Sequence, residues 1–95
     1  MAVVVKFHIQ CDSKPFSLNI DGFCEVVHAG LDVAQSPCLW ALVTSGGPLK
    51  SWKFMVVPTG VSFDMRQWSY LRTFVTANAE YHLLRPAMDW DEEEV

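Results

Sequence analysis

Apolar and polar residues alternate along short stretches of this chain, and that period of two limits its fold more than any other feature. Near the start, every second residue between Val3 and Ile9 is apolar, which is typical of a half-buried β-strand. Similar or wholly apolar stretches follow, joined by turns that contain glycine, proline or asparagine: residues 16–20, 27–31, 38–43, 51–57, 70–75 and 80–84. We therefore predict an all-β, or mainly β, fold: a small antiparallel β-sandwich or barrel of about seven short strands.

One stretch does not follow this pattern. Over residues 61–68, VSFDMRQW, the helical and strand periods fit equally badly. An irregular loop, a short strand and a single helical turn near residues 62–69 are all consistent with the sequence.

The length of the chain predicts one domain. With 95 residues it is too short for two cores, and its 51% hydrophobic composition excludes disorder. So many apolar side chains exceed what one small core can cover, and we therefore expect a homo-oligomer. Five of the eleven acidic residues lie in the last seven positions. We therefore divide the chain into a globular β domain, residues 1–88, and a flexible acidic C-terminal tail, residues 89–95.

The cysteines and the start of the chain predict its compartment. Cys11, Cys24 and Cys38 are odd in number and lie in or beside apolar segments, which favours reduced thiols over a disulfide framework. The first residues lack the pattern of a signal peptide, and no apolar run approaches the roughly 20 residues of a membrane span. We expect a cytosolic protein that does not bind a membrane.

Motifs with a strong mechanistic meaning are missing from the sequence. It contains no dinucleotide-binding glycine pattern, P-loop, HExxH, CxxC or GxSxG sequence, so we predict neither an enzyme activity nor a cofactor. His8, His28 and His82 each lie singly in a strand, and we interpret them as surface or packed histidines rather than as metal ligands. Cys38 lies in the most apolar run, where burial raises the pKa of a thiol, so we interpret it as core rather than as a nucleophile.

One turn can contribute to an anion-binding site. Pro58-Thr59-Gly60 combines a small hydroxyl residue with a glycine, so its backbone N–H groups can face a phosphate. An ordinary hairpin exit is the alternative interpretation of the same three residues.

Arginines beside aromatic residues form a second candidate feature. Arg66, Trp68, Tyr70 and Arg72 lie close together in the sequence, and this combination suits both phosphate pairing and base stacking. Lys53 adds positive charge next to Trp52. The alternative is a solvated strand edge whose aromatic residues belong to the core.

Several segments follow one another in a characteristic order: VVKFHI, EVVHAGLDVAQSPCLWALV, WKFMVVPTG, and YLRTFV followed by YHLL. Their order resembles that of a family of small proteins common in phage genomes. The resemblance spans about residues 3–85, and PCLWALV is its most specific part. The positions that match the family pattern are Gln35, Pro37, Cys38, Leu39, Trp40, Ala41, Leu42, Val43, Thr59, Gly60, Tyr70, Leu71, Thr73 and His82.

Two positions depart from that pattern. Pro58 stands where the family has the first glycine of its turn, and Arg72 stands where the family has a glycine near the end. Pro58 changes the backbone geometry of the turn, whereas Arg72 can add a phosphate or guanine contact. The resemblance implies a phage origin and a location in the host cytoplasm, where small non-enzymatic phage proteins commonly antagonise host defence.

We therefore predict a phage-encoded anti-defence protein that sequesters a cyclic di- or trinucleotide immune signal without cleaving it. Aromatic rings would stack on a base, arginines would pair with a phosphate and the turn would complete the cradle. The predicted ligand-binding residues are Trp52, Lys53, Thr59, Gly60, Arg66, Tyr70 and Arg72. Because the body of the domain carries almost no net charge, we expect no binding to long nucleic acid. The alternatives are an inhibitor that binds a host defence protein through the acidic tail or an aromatic patch, and a virion accessory protein.

Overall fold

The computed structural model describes residues 1–88 and the backbone of residues 91–94. Its first seven strands are β1 (Ala2–His8), β2 (Phe16–Asp21), β3 (Phe23–Leu31), β4 (Pro37–Thr44), β5 (Leu49–Pro58), β6 (Trp68–Val75) and β7 (Glu80–Pro86). A short eighth strand, β8 (Asp91–Glu94), follows. The prediction of an all-β fold with about seven short strands is confirmed. Across the described residues there is no helix, and thus none able to cross a membrane.

The first seven strands form two antiparallel sheets. The smaller sheet has the order β1-β4-β3, and the larger sheet has the order β2-β5-β7-β6. β8 pairs with the first half of β5. Within the part of the chain that the structure describes, no strand pairing joins the two sheets, so the fold is sandwich-like. Of the two predicted architectures, the sandwich is the one observed.

The main core lies between the two sheets. Leu39 and Ala41 of β4 and Phe54 and Val56 of β5 are fully buried, each pair separated by one residue as the period of two requires. Phe54 also stacks on Phe16 of β2, with ring centroids 6.0 Å apart. We call the face of each sheet that contributes to this core its inner face, and the opposite face its outer face.

A second apolar cluster covers part of the outer face of the larger sheet. Met55 and Val57, the outward-facing residues of β5, pack with Leu84 of β7. Phe63 and Trp68 lie over them and close the cluster. The second half of β5 is therefore buried on both faces, which explains why its sequence is apolar at consecutive positions.

The segment that follows neither period is mostly a loop. Residues 59–67 connect β5 with β6, and only Trp68 at the end of the ambiguous stretch belongs to a strand. The loop ends in a single hydrogen-bonded turn, in which the amide of Trp68 donates to the carbonyl of Asp64 at 2.9 Å. The loop has an irregular pattern because it contributes only isolated side chains to the second cluster.

Two connections that pass from one sheet to the other pack against each other. Gly22 joins β2 to β3 with a φ of 61°. Its amide donates to the carbonyl of Pro48 at 2.9 Å, and its carbonyl accepts from the amide of Thr44 at 2.8 Å. A Cβ on Gly47 would lie 2.4 Å from the Cα of Gly22, so both corners need glycine where they meet.

The prediction of a flexible acidic tail, residues 89–95, falls largely outside the described residues. The structure describes only the backbone of β8 in this region. The flexibility of the tail therefore stays a prediction.

Candidate functional site

The predicted ligand-binding residues occupy different surroundings. Lys53 and Tyr70 lie on the outer face of the larger sheet, and Thr59 and Gly60 follow directly at the end of β5. Trp52 is on the inner face, where it packs against the core with its ring centroid 4.6 Å from that of Phe23. Its indole therefore faces the protein rather than an external base.

Arg72 also points away from the outer face. Its Nη2 donates to the carbonyl of Val26 in β3 at 3.2 Å, and its Nη1 donates to the carbonyl of Leu71 at 2.9 Å. The guanidinium thereby connects the edge of the larger sheet to the smaller one. Arg72 and Tyr70 therefore do not converge on one pocket.

Arg66 lies in the β5–β6 loop with its side chain 90% exposed. Its Nε and Nη2 donate to the two carboxylate oxygens of Asp64, at 3.2 and 3.3 Å. The same guanidinium lowers the pKa of the Asp64 carboxyl. Because this ion pair faces solvent and is weak, a phosphate can replace the carboxylate without a large loss of stability.

A row of hydrogen bonds runs across the outer face of the larger sheet around His82. The Nε2 atom of His82 lies 2.7 Å from the hydroxyl of Thr59, which lies 2.7 Å from Oε1 of Glu80. On the other side, Nδ1 of His82 lies 2.8 Å from the hydroxyl of Thr73, which lies 2.8 Å from the phenol oxygen of Tyr70. We call these five residues the polar row.

When His82 is neutral, the chemistry of the side chains determines which atom donates in each hydrogen bond of the polar row. The ionised Glu80 only accepts, so the Thr59 hydroxyl donates to it and accepts from Nε2–H of His82. The Nδ1 atom then accepts from Thr73, and Thr73 accepts from the phenol of Tyr70. Each side chain therefore fixes the next, and the Tyr70 ring is held in place although it is 57% exposed.

The turn beside the polar row provides only part of the predicted cradle. The amide of Thr59 donates to the carbonyl of Glu80 at 3.0 Å, so that N–H group is occupied. Gly60 has a φ of 94°, and the space where a Cβ would stand is open. A ligand can therefore approach the backbone at Gly60 but not at Thr59.

A second polar cluster lies on the outer face of the smaller sheet, and the sequence analysis missed it. The thiol of Cys38 lies 3.4 Å from Nδ1 of His8 and 3.6 Å from Oδ2 of Asp32. Asp32 Oδ2 also accepts from Nζ of Lys6 at 2.9 Å. Cys38 is fully buried, as predicted, but its neighbours on this side are polar rather than apolar.

The charges of this cluster change the acidity of its members. The Lys6 ammonium, with help from the backbone N–H groups of Ser36 and Ala34, holds the pKa of the Asp32 carboxyl well below its usual range. Burial raises the pKa of the Cys38 thiol, and the Asp32 carboxylate raises it further. In this state Cys38 is a protonated thiol rather than an activated nucleophile.

A cleft of about 520 Å³ opens between the two sheets, away from both polar clusters. The residues that line it are Val5, Phe7, Asn19, Ile20, Asp21, Val43 and Leu49. None of the predicted ligand-binding residues lines this cleft, and its lining contains no positive charge. Its chemistry therefore suits an apolar group better than a phosphate.

Fold and surface together define a small all-β domain with a sandwich-like arrangement, an exposed polar row and a second, partly buried polar cluster. The chain belongs to the family described as a domain of unknown function, DUF7352, whose model matches residues 1–92. No curated protein and no solved structure matches it.

Proposed function

We propose that this chain is a phage-encoded anti-defence protein that sequesters a cyclic di- or trinucleotide signal without cleaving it. The resemblance of its motifs to a phage-associated family supports the biological part of the proposal. The chemical part rests on one observation: the exposed ring of Tyr70 is held by the polar row beside an open glycine turn. We place the site on the outer face of the larger sheet.

An immobilised aromatic ring favours binding of a base. Stacking on Tyr70 needs little ordering, because the phenol already bonds to Thr73 and the threonine to His82. The hydroxyls of the row can bond to ribose or phosphate oxygens. Of the two predicted arginines, Arg66 is the one available for a phosphate, since Arg72 bonds to the backbone of β3.

A second subunit would complete such a site. The row is exposed, and a single shallow face buries too little of a nucleotide for tight sequestration. Exposed apolar side chains, among them Val4 and Val27, support the expected homo-oligomer. The ligand would then lie between two copies of the chain.

Substitution of Tyr70 tests the proposed site. Because stacking on one aromatic ring contributes about 1–3 kcal/mol, we expect Tyr70→Ala to weaken binding of the best cyclic nucleotide by about 5- to 150-fold in calorimetric titrations. Tyr70→Phe retains the ring and loses the bond to Thr73, so its affinity should be intermediate. Val75→Ala, on the same strand and 64% exposed, is the matched control and should bind normally.

Either of two results would contradict this proposal. One is that no cyclic di- or trinucleotide binds to the folded protein. The other is that Tyr70→Ala and Val75→Ala bind a nucleotide equally well. Recovery of the bound nucleotide in cleaved form would overturn the non-catalytic part alone.

Removal of the acidic tail separates this proposal from binding to a host protein. A chain truncated after Met88 loses five carboxylates and keeps the polar row intact. We therefore expect its affinity for the nucleotide to be unchanged, because the contacts that carry the proposal all lie before residue 89. A host protein recruited by the tail would instead be lost on truncation, and its binding to the full chain would weaken steeply with salt. A large loss of nucleotide affinity on truncation would contradict the proposed site.

A further inference from the structure

We propose that Cys38, His8 and Asp32 form a binding site for one zinc ion on the outer face of the smaller sheet. Zinc binding would release the proton of the Cys38 thiol, so that the three side chains offer a thiolate sulfur, an imidazole nitrogen and a carboxylate oxygen, a set of ligands typical of zinc. Their ligand atoms all lie within 4.8 Å of one another. This site is separate from the polar row and does not depend on the proposed nucleotide binding.

The distances suit a tetrahedral ion. With Zn–S bonds of about 2.3 Å and Zn–N or Zn–O bonds of about 2.0–2.2 Å, the ligand atoms of a tetrahedral site lie about 3.3–3.6 Å apart. The Cys38 sulfur lies 3.4 Å from Nδ1 of His8 and 3.6 Å from Oδ2 of Asp32. Zinc could therefore bind after small side-chain movements, without a change in the strands.

Strand register brings two of the ligands together. His8 of β1 is paired with Cys38 of β4, so their side chains leave the sheet next to each other. On the other side of Cys38, β3 contributes Gly30, which has no side chain to fill the space. The imidazole of His28 leans over Gly30, with Nε2 3.1 Å from where a Cβ would stand. The missing side chain at Gly30 thus leaves room for the His28 imidazole beside the cluster, in which Cys38 and Asp32 are buried and His8 is exposed.

The β3–β4 loop fixes the third ligand. Asp32 Oδ1 accepts hydrogen bonds from the amides of Ala34 at 2.9 Å and Ser36 at 3.0 Å. These bonds leave Oδ2 directed at Cys38. A carboxylate oriented by two backbone amides needs little ordering when a metal binds, as in sites whose ligands are held by further hydrogen bonds.

The Lys6 ammonium lies beside the Asp32 carboxylate, where a bound metal ion would lie. Its Nζ lies 2.9 Å from Oδ2 of Asp32, the same oxygen that would bind zinc. The Lys6 side chain is 40% exposed and long enough to turn into solvent when a divalent ion takes its place. The ammonium and the zinc ion therefore compete for one carboxylate oxygen, which gives the proposal an unusual test.

The test is titration of the reduced, metal-free full chain with Zn²⁺, followed by calorimetry, and with Co²⁺, followed by thiolate-to-cobalt absorption. We expect one ion per chain. Loss of a ligand should cost more than the 10- to 100-fold typical of a residue that only orients one, so His8→Gln should weaken zinc binding at least about 10-fold. Because its imidazole is exposed, this variant should fold normally. Cys38→Ser should abolish the cobalt–thiolate absorption.

Two further variants complete the test. Lys6→Gln removes the competing ammonium, so zinc should bind several-fold more tightly, a result that a purely structural role for the cluster does not predict. Cys24→Ser removes an exposed thiol of β3 and should leave the affinity unchanged. The proposal is overturned if no ion binds at micromolar Zn²⁺, or if Cys24→Ser rather than Cys38→Ser removes the absorption. Unchanged affinity in His8→Gln would overturn it as well.

Discussion

Replacing Phe54 with alanine is expected to lower the free energy of unfolding by about 3–5 kcal/mol. Phe54 is fully buried, belongs to the cluster between the two sheets and stacks on Phe16 of β2. Removing its ring leaves a cavity at the centre of a small domain, which has few other contacts to compensate. Urea denaturation followed by tryptophan fluorescence measures the loss.

A substitution on the same strand is the matched control for Phe54. Leu49 is 40% exposed at the other end of β5, so Leu49→Ala should cost well under about 1.5 kcal/mol. Equal stability of the two alanine variants would contradict the position of Phe54 in the main core, and with it the described packing of the two sheets.

Gly22→Ala is expected to have an effect of similar size for a different reason. A Cβ at this position would lie 2.1 Å from the backbone carbonyl oxygen of Thr44, a contact that flexible side chains cannot relieve. The positive φ adds about 1–2 kcal/mol for a residue with a side chain, and overpacking typically adds about 1–3 kcal/mol. We expect a total loss of about 2–5 kcal/mol in thermal or urea unfolding, if the variant folds.

Gly46→Ala separates the two contributions. Gly46 also has a positive φ, 78°, but nothing lies within 4 Å of the position of its Cβ. Its replacement should therefore show the conformational cost alone, about 1–2 kcal/mol. Equal losses at Gly22 and Gly46 would contradict the close packing of the two sheet-crossing connections.

The strands could be predicted from the sequence because their signal is local. Alternation in β1 and β2 and the apolar run of β4 each depend on neighbouring residues only. The sheets could not be predicted in the same way, since β2 pairs with β5 rather than with the adjacent β1. Such a pairing depends on contacts far apart in the chain, so the sequence left the sandwich and the barrel equally open.

The candidate ligand-binding site shows a second limit of local reasoning. Trp52 and Lys53 are neighbours in the sequence and therefore point to opposite faces of β5. Tyr70 and Arg72 would share a face in a regular strand, but the register shifts by one residue between them. Because of that irregularity Arg72 lies on the inner face, and no glycine, proline or asparagine in β6 indicates the irregularity from the sequence.

The polar clusters depend on pairing as well. In the sequence His82 stands alone, and it lies beside Thr59 and Thr73 only because β7 is between β5 and β6. In the other cluster, His8 and Cys38 are 30 positions apart, too far for a metal-binding motif to be visible. The apolar neighbours of Cys38 in the sequence correctly predicted its burial but not the polar side chains around it.

The central claim, sequestration of a cyclic nucleotide, is tested most directly by a native mass spectrum of the purified protein. The spectrum would be recorded for the protein alone and after mixing with a panel of cyclic di- and trinucleotides. The account predicts an oligomer that retains a nucleotide of unchanged mass, and loss of that complex in Tyr70→Ala. A folded protein that retains none of the nucleotides would contradict the account and direct the search to protein partners.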